Sequence, residues 1–330
     1  MEKSERVARK VRESILTALI HGGVVSGEAL SRELKVSRPA IWKTIGQLRE
    51  DGFQIESRQG KGYVLKALPD ILFPDLLHHR LKTHLLGKRI IHFPHTDSTN
   101  MRAKILAADG AADGTLVVAE YQAKGKGRMQ RLWQSPAGKN LLFSLILRPD
   151  WPPGQAFYGT VLASVSLCRA MEEIAGIEVK IKWPNDLYAG EKKIAGILTE
   201  FSTDPDRIEY MIIGVGVNCH WAPAEPPPGG MPATSLLKEI GKKISRLDLL
   251  IRFLEHGDAA YQRIEREGVG FLREEWSRYS LVTRRTVTLI NNQKTWTGEV
   301  QGIDEQGGLI LRLADGRLET FLAGDVHLRF

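Results

Sequence analysis

The seven residues Lys182-Trp183-Pro184-Asn185-Asp186-Leu187-Tyr188 bring a lysine, an indole, an amide and a carboxylate close together. Residues 178–182 alternate like a strand, and Pro184, with no N–H to donate, ends a sheet ladder. Lys182 then stands at a strand's end as a compact cation on a flexible stem, suited to holding a carboxylate or a phosphate. A packed corner at Trp183-Pro184 beside a solvated lysine fits the same residues. A second stretch, residues 123–133, carries Gly125 and Gly127, four cations (Lys124, Lys126, Arg128 and Arg131) and a closing Trp133. Such a loop can fold over an anion. It lacks the Lys-Ser/Thr of a P-loop, and it does not lead straight into a helix as a dinucleotide fingerprint does. A solvated basic loop accounts for it equally well. A third stretch, His95-Thr-Asp-Ser-Thr-Asn100, precedes a helix over 101–108 and sets hydroxyls beside free backbone N–H groups; a plain helix cap has the same composition.

These segments need strands and helices to position them. The pattern predicts a helix over 75–86 closed by Gly87, strands over 89–93, 114–122 and a buried 140–147, and a helix over 157–174 rich in small and apolar residues. A hairpin through Tyr188-Ala-Gly-Glu191 leads to strands over 193–200 and 210–218. Gly196, Gly214 and Gly216 interrupt these strands where a ligand or another backbone comes close. A proline- and glycine-rich loop over 221–232 and a long helix over 245–267 follow. About five short strands from 286 to 330, turning at Asn291-Asn292, Gly307-Gly308 and Asp315-Gly316, resemble a small SH3-like barrel.

Length and charge organise the rest. A chain of 330 residues holds two or three domains. Residues 1–66 contain 13 Lys/Arg against 8 Asp/Glu, so +5 of the formal +7 is concentrated there. That imbalance points to a polyanionic partner. In the same region Val7, Val11, Ile15 and Leu19 form one helical stripe ended by Gly22-Gly23. A second helix starts at the N-cap Ser26 and buries Leu30 and Leu34. A third is capped by Ser37, with Pro39 in its first turn and Ile41, Ile45 and Leu48 inward. A two-stranded wing with cations at its tip completes a winged helix-turn-helix, whose last helix lies in the major groove. Ser37, Arg38, Trp42 and Lys43 are the candidates for DNA, with Arg58 and Lys61 reaching phosphate.

No apolar run approaches the ~20 residues needed to cross a bilayer, and the charged N-terminus reads as a helix rather than a signal peptide. Cys168 and Cys219, far apart and without a C-x-x-C partner, read as free thiols of a reducing cytoplasm, with neither zinc nor disulfide. His78 and His79, adjacent on a helix, point apart and make a poor metal pair.

Taken in order, Asp-Ser-Thr-Asn100, Glu-Tyr-Gln122, Gly-Lys-Gly-Arg128 with Trp133, Lys-Trp-Pro-Asn-Asp186, Lys-x-Ala-Gly-Ile197 and Gly-Val-Gly-Val-Asn218, behind a winged helix, resemble the bifunctional biotin protein ligases that also repress biotin-operon transcription. Where that family often has Gly-Arg-Gly-Arg-x-Gly-Arg, this chain has Lys126 for the first arginine and Gln130 for the third glycine. The resemblance implies an α/β (α+β) fold: a winged helix-turn-helix at 1–66, a linker at 67–75, a mixed-sheet biotin/lipoate ligase-like catalytic domain at 76–282 and the SH3-like barrel at 283–330. It implies that Ser98, Thr99, Asn100 and Gln122 lie at the biotin head and that Lys126, Gly127 and Arg128 cover biotin and its adenylate. Lys182 then holds the biotin carboxylate and the phosphoanhydride, with Lys182 and Arg128 catalytic. Gly196 and Gly216 admit biotin to the backbone, while Arg131, Trp133 and Asn218 lodge the nucleotide. Asp186 is the candidate for magnesium, or for a base.

ATP, Mg2+ and biotin are the implied small molecules, with biotinyl-5'-AMP as intermediate and corepressor. The implied partners are a biotin carboxyl carrier protein, operator DNA and a second copy of the chain, since two recognition helices must meet half-sites about one helical turn apart. Two other functions fit parts of the sequence: a ligand-sensing repressor without chemistry, and a lipoate-type ligase.

Overall fold

The structure, a computed structural model, describes residues 2–226, 231–291 and 294–328, with the side chains of 2–9 and 328 left aside. Val7 and Asn292 of the expectations above therefore lie outside what is described, as do residues 227–230 of the proline- and glycine-rich loop. The chain divides into two compact units, Met1–His79 and Arg80–Phe330.

The first unit holds α1 (Glu2–Ile20), α2 (Gly27–Leu34), α3 (Arg38–Glu50), β1 (Gln54–Arg58) and β2 (Gly62–Ala67), and α4 (Pro74–Arg80) ends it. Serine hydroxyls open both short helices: Ser26 accepts from the Ala29 N–H and Ser37 from the Ala40 N–H, each at 3.3 Å. Ile15, Leu19, Leu30, Ile41, Ile45 and Leu48 are buried. Leu34 is only half-buried, because the eight-residue α2 closes at once on Lys35 in the left-handed conformation. The wing pairs Arg58 with Gly62, and Val25 bridges to Tyr63. Gly62 has φ +124°, and a side chain there would meet the Val25 carbonyl. Residues 67–73 are fastened to this unit. Phe73 stacks on Phe53 at 5.9 Å, the Arg12 guanidinium lies 5.1 Å over Phe73, and Leu72 is fully buried.

In the second unit a seven-stranded mixed sheet runs in the order β3 (Ile90–Phe93), β4 (Thr115–Ala119), β5 (Leu141–Leu147), β9 (Ile208–Val217), β8 (Lys192–Thr203), β7 (Asp186–Ala189), β6 (Lys180–Lys182). Only β3 and β4 are parallel. Side-chain parity sets its two faces. Even-numbered Ile146 of β5 and Ile212 of β9, with odd-numbered Val117 of β4, pack with Ala103 and Ala107 of α5 (Thr99–Ala108). Odd-numbered Met211 and Ile213 crowd Gly159 of α6 (Tyr158–Ala175) on the other face. Helix α6 is buried along most of its length against the sheet, α8 (Arg246–Glu267) and α9 (Gly270–Tyr279). The short α7 (Leu236–Ile240) precedes α8. Neither α7 nor α9 was expected from the sequence.

Two expectations are corrected. The helix over 75–86 stops at Arg80, because the N–H groups of His84, Leu85 and Leu86 are taken by the Asp258 carboxylate of α8 at 2.8–2.9 Å. The Lys-Trp-Pro-Asn-Asp segment is itself a hairpin turn, with Lys182 paired opposite Asp186, ahead of the expected hairpin at residue 190.

The C-terminal part of this unit is a five-stranded antiparallel sheet, β13 (Leu318–Phe321), β12 (Leu309–Leu313), β11 (Lys294–Ile303), β10 (Thr286–Asn291), β14 (Asp325–Leu328). Its turns at 307–308 and 315–316 fall where the sequence put them. The arrangement is consistent with the SH3-like expectation. The Trp183 indole N–H donates to the Gly307 carbonyl at 3.2 Å, joining this sheet to the β6–β7 hairpin of the seven-stranded sheet.

Candidate functional site

All fourteen residues that the resemblance assigns to biotin, nucleotide or metal line one cavity of about 780 Å3 on the α5 face of the large sheet. The even-numbered glycines Gly196, Gly214 and Gly216 form its floor, since β8 and β9 pair Gly196 with Gly216 and Leu198 with Gly214. The floor is tightly covered. A Cβ on Gly216 would lie 2.6 Å from the Trp133 indole, one on Gly196 3.1 Å from it, and one on Gly214 would collide with the Asn100 carboxamide. The group seated on Gly196 and Gly216 is thus an aromatic side chain. Its Nε1–H is buried with no hydrogen-bond partner, an unmatched donor inside the cavity.

At one end stands the turn before α5. Ser98 is the N-cap residue, yet its hydroxyl makes no capping hydrogen bond. Gln122 Oε1 accepts from the Thr99 N–H at 2.7 Å and lies 3.0 Å from the Thr99 hydroxyl. Asn100 donates through Nδ2 to the Leu198 carbonyl and to Glu200. Ser98, Thr99 and Asn100 are all less than a tenth exposed.

The other end is a cluster of charge. Lys182 lies over the Tyr188 ring at 5.4 Å. Burial pulls its ammonium below the usual lysine value, while the carboxylates of Asp186 and Asp325 oppose that shift. The basic loop folds back on itself: the Trp133 N–H donates to the Gly125 carbonyl at 2.9 Å and the Gly127 N–H to Arg131 at 2.7 Å. Arg128 donates to Asn185 Oδ1 at 3.3 Å and approaches Asp325 at 4.0 Å, with Arg131 at 3.7 Å from the same carboxylate. Met129 and Gln130 both sit in the left-handed region, φ 53° and 60°.

Lys193 stands 2.7 Å from Asp186 Oδ1, an ion-pair distance at an angle outside hydrogen bonding. A magnesium ion takes few protein oxygens and completes its shell with phosphate and water, and the carboxylate expected to hold it, Asp186, is held here by Lys193. Among the described residues no group of three His, Cys, Asp or Glu side chains is placed to hold a metal.

Asn218 sits at the cavity's edge, but its amide serves the framework: Nδ2 donates to the Thr234 carbonyl at 3.0 Å, and Oδ1 accepts from Asn140 at 3.4 Å. Sequence reasoning gave no role to Asn185, Lys193 or Asp325. The first two lie inside motifs already singled out. Asp325 comes from the C-terminal sheet, 139 positions beyond Asp186 in numbering, and has no local signal.

In the first unit all six candidate DNA residues are exposed. Trp42 is 68% exposed on α3, an unusual place for an indole without a partner. Arg38 pairs with Glu28 at 2.6 Å, and Arg58 approaches Glu56 at 3.8 Å. These surface pairs contribute about 0–1 kcal/mol and yield readily to phosphate. The Ser37 hydroxyl is engaged as the cap of α3. Arg49, not anticipated, fastens α3 to the wing through the Ile55 carbonyl and Ser57, both at 2.8 Å.

Residues 92–218 match the biotin/lipoate A/B protein ligase family, residues 11–64 an HTH domain, and residues 285–329 the biotin protein ligase C terminal domain. The chain is 36% identical over 305 residues to the bifunctional ligase/repressor BirA of Bacillus subtilis, covering 92% of this chain and 94% of that one. It is 32% identical over 317 residues to the bifunctional ligase/repressor BirA of Escherichia coli, covering 96% of each. Among solved structures, the biotin protein ligase from Aquifex aeolicus in complex with biotin and ATP superposes with a TM-score of 0.62 at 29% identity, covering 73% of this chain and 99% of that one.

Proposed function

The chain belongs to the bifunctional ligase/repressor BirA family, and from that premise we propose that it activates biotin with ATP, transfers it to a lysine of a biotin carboxyl carrier protein, and represses biotin genes in response to the activated intermediate. The observation that carries this reading is one cavity with a neutral, hydrogen-bonded end around Thr99 and Gln122 and a cationic end around Lys182, Arg128 and Arg131. A uniformly polar or uniformly charged pocket would not suit an acid whose head is neutral and whose tail must be joined to phosphate.

In the first step a carboxylate oxygen of biotin attacks the α-phosphorus of ATP, and pyrophosphate leaves. Two anions must meet, so positive charge has to stand where negative charge develops. Lys182, at the hairpin's entry, holds the carboxylate, and Arg128 and Arg131 hold the phosphates. Both arginines have long contacts to Asp325 to give up, and Arg128 also a 3.3 Å hydrogen bond to Asn185. Asp186 would hold a magnesium ion, which would neutralise phosphate charge when bound. Trp133, with its unmatched N–H, lies beside the nucleotide, and the loop's closure keeps water from the mixed anhydride. In the second step an acceptor lysine amine attacks the carbonyl carbon, the bond to phosphate breaks, AMP leaves and the amine loses a proton.

For the first unit the proposal is operator binding through Ser37, Arg38, Trp42 and Lys43, with Arg58 and Lys61 on phosphate. The DNA-binding species is a homodimer made through the central sheet. The two buried cysteines, neither in a disulfide, fit a reducing cytoplasm, and no helix among the described residues is long and apolar enough to cross a membrane.

Biotin-dependent exchange of pyrophosphate with ATP, run with lipoate and no-acid controls, tests the ligase reading. Exchange with biotin alone is expected. Exchange with lipoate alone makes the chain a lipoate-type ligase, and exchange with neither acid leaves a sensor-repressor without chemistry. Sedimentation with operator and biotinyl-5'-AMP tests the dimer; a monomer at operator-binding concentration removes it.

A further inference from the structure

Two stretches of chain leave the large sheet and line the same cavity. The first departs after β4, which ends at Ala119, and returns at β5, which begins at Leu141; it carries Arg128, Arg131 and Trp133. The second departs after β9, which ends at Val217, and reaches α7 at Leu236; of its described residues Pro223, Glu225 and Met231 line the cavity. Both are rooted on one buried guanidinium. Arg246, in the first turn of α8, is fully buried and stands outside the cavity's lining. Its Nη2 pairs with Glu120 Oε2 at 2.9 Å, and its Nη1 donates to the Asn140 carbonyl at 3.0 Å. Glu120 and Asn140 are the residues just outside β4 and β5, so one planar fork holds both ends of the first stretch. The Gly138 N–H closes the same root on the Glu120 carbonyl at 3.0 Å.

Asn140 carries this hold across to the second stretch. Its Oδ1 accepts from the Cys219 N–H at 3.1 Å, so its Nδ2 is the donor to Asn218 Oδ1 at 3.4 Å. Asn218 in turn donates through Nδ2 to the Thr234 carbonyl at 3.0 Å, and its own carbonyl accepts from the Leu236 N–H at 2.9 Å. The His220 N–H donates to the Lys139 carbonyl at 3.0 Å, a direct tie between the two roots. The turn before α5 has ties of its own: the Thr96 N–H donates to the Tyr121 carbonyl at 3.1 Å and the Ala123 N–H to the Thr96 carbonyl at 2.9 Å. A buried charge persists where it is paired and hydrogen-bonded, and meeting a carboxylate and a carbonyl at once needs the guanidinium fork rather than a single ammonium.

We propose that Arg246 is a positioning residue for the nucleotide: from outside the cavity it fixes the roots of both stretches, so that the side chains they carry meet ATP in one register while the tip of the basic loop stays free to move. This rests on the biotin-ligase reading and adds to it a residue that touches neither substrate. The biotin end, tied separately through Thr96, does not depend on it.

The test compares the full-length protein with Arg246→Lys, Asn140→Ala and the double variant in biotin-dependent pyrophosphate exchange, below the melting temperature of each. Arg246→Lys keeps the charge beside Glu120 and gives up one arm of the fork. Asn140→Ala keeps the backbone carbonyl for Arg246 and cuts the link to Asn218 and Cys219. Each single variant is expected to raise KM for ATP about tenfold, the effect of losing roughly one buried hydrogen bond, with biotin KM within about twofold. Because both act through one root, the double variant should raise KM for ATP less than about thirtyfold, against roughly a hundredfold for independent sites. Should lysine at 246 prevent folding, Asn140→Ala decides by the same split between ATP and biotin. The inference is overturned if biotin KM rises as far as ATP KM, as a loosened fold would make it, if ATP KM stays within about twofold in either single variant, or if the double variant reaches the product of the two. Absence of biotin-dependent exchange in the unaltered protein is a different result: it removes the ligase reading, and the inference with it.

Discussion

The two ends of the cavity are built on opposite principles. The neutral end is a closed hydrogen-bond network on rigid elements: Thr99 and Asn100 in the first turn of α5, Ser144 on a fully buried strand, with partners at 2.6–3.2 Å. The charged end is a surface loop whose arginines reach long ion pairs at 3.7–4.0 Å and one hydrogen bond, from Arg128 to Asn185 at 3.3 Å, and whose turn holds two consecutive non-glycine residues at positive φ. The first is shaped before a ligand arrives. The second holds charge in reserve and can move, because little is lost when exposed pairs of that length break. Recognition of an invariant head favours the first arrangement. Closing over a nucleotide and reopening to release product favours the second.

The largest expected effect tests whether charge truly resides at the second end. Lys182→Ala should lower adenylate formation by about 10²–10³-fold, the magnitude for removing one preorganised electrostatic partner, with melting temperature nearly unchanged. Unchanged turnover would sink the assignment. The pH dependence has a definite sign. Burial holds the Lys182 ammonium below its ordinary 10.5, with Asp186 and Asp325 opposing. Charge, and with it carboxylate affinity, is therefore lost on the alkaline side at a pH below 10.5. Lys182→Arg should move that limb upward. For stability the unfolded lysine binds its proton more tightly than the folded one, so folding gains as pH rises between the lowered value and 10.5.

A pair of glycine substitutions sharpens the contrast. Gly214→Ala drives a methyl into an Asn100 amide held on three sides, and should destabilise the fold by about 1–3 kcal/mol as overpacking does while raising biotin KM. Gly216→Ala drives one into the Trp133 indole, which belongs to the loop and can yield. Its thermal destabilisation should be less than half as large. Equal losses in melting temperature would show that the loop is as rigid as the strand row, and the contrast would fail.

What the sequence disclosed follows the same division. Segments whose chemistry is local were legible: the capped α3, the glycine-tipped wing, the polar turn before α5, the cations around 124–131. Contacts that depend on sheet register were not. Ser144 stands alone among apolar neighbours in Leu-Leu-Phe-Ser-Leu-Ile-Leu, a visible signal, but only the pairing of β5 with β9 and β8 shows that it meets Asn100. Asp325 reaches the arginines because the C-terminal sheet lies beside the hairpin, which no spacing in the chain encodes. The helix end at Arg80 was missed because its competitor, Asp258, is more than 170 residues away in sequence. The hairpin at 183–185 was missed for a nearer reason: three-residue β6 is too short to separate from the turn by periodicity.

The smallest expected effect concerns Gln130, where the family often carries glycine. At φ 60° a residue with a Cβ costs about 1–2 kcal/mol, so Gln130→Gly removes strain from the folded-back turn. Glycine also gives the open loop more freedom to lose, about 0.5–1 kcal/mol in the opposite direction. Met129, equally left-handed, keeps its own strain. The two terms nearly cancel, and KM for ATP should shift by no more than about threefold, with biotin KM unmoved. If ATP affinity instead rose more than about tenfold, backbone strain rather than dispersed charge would be what holds this end back. The charged end would then be a sprung element, and its contrast with the locked neutral end would be one of stored strain, not of mobility.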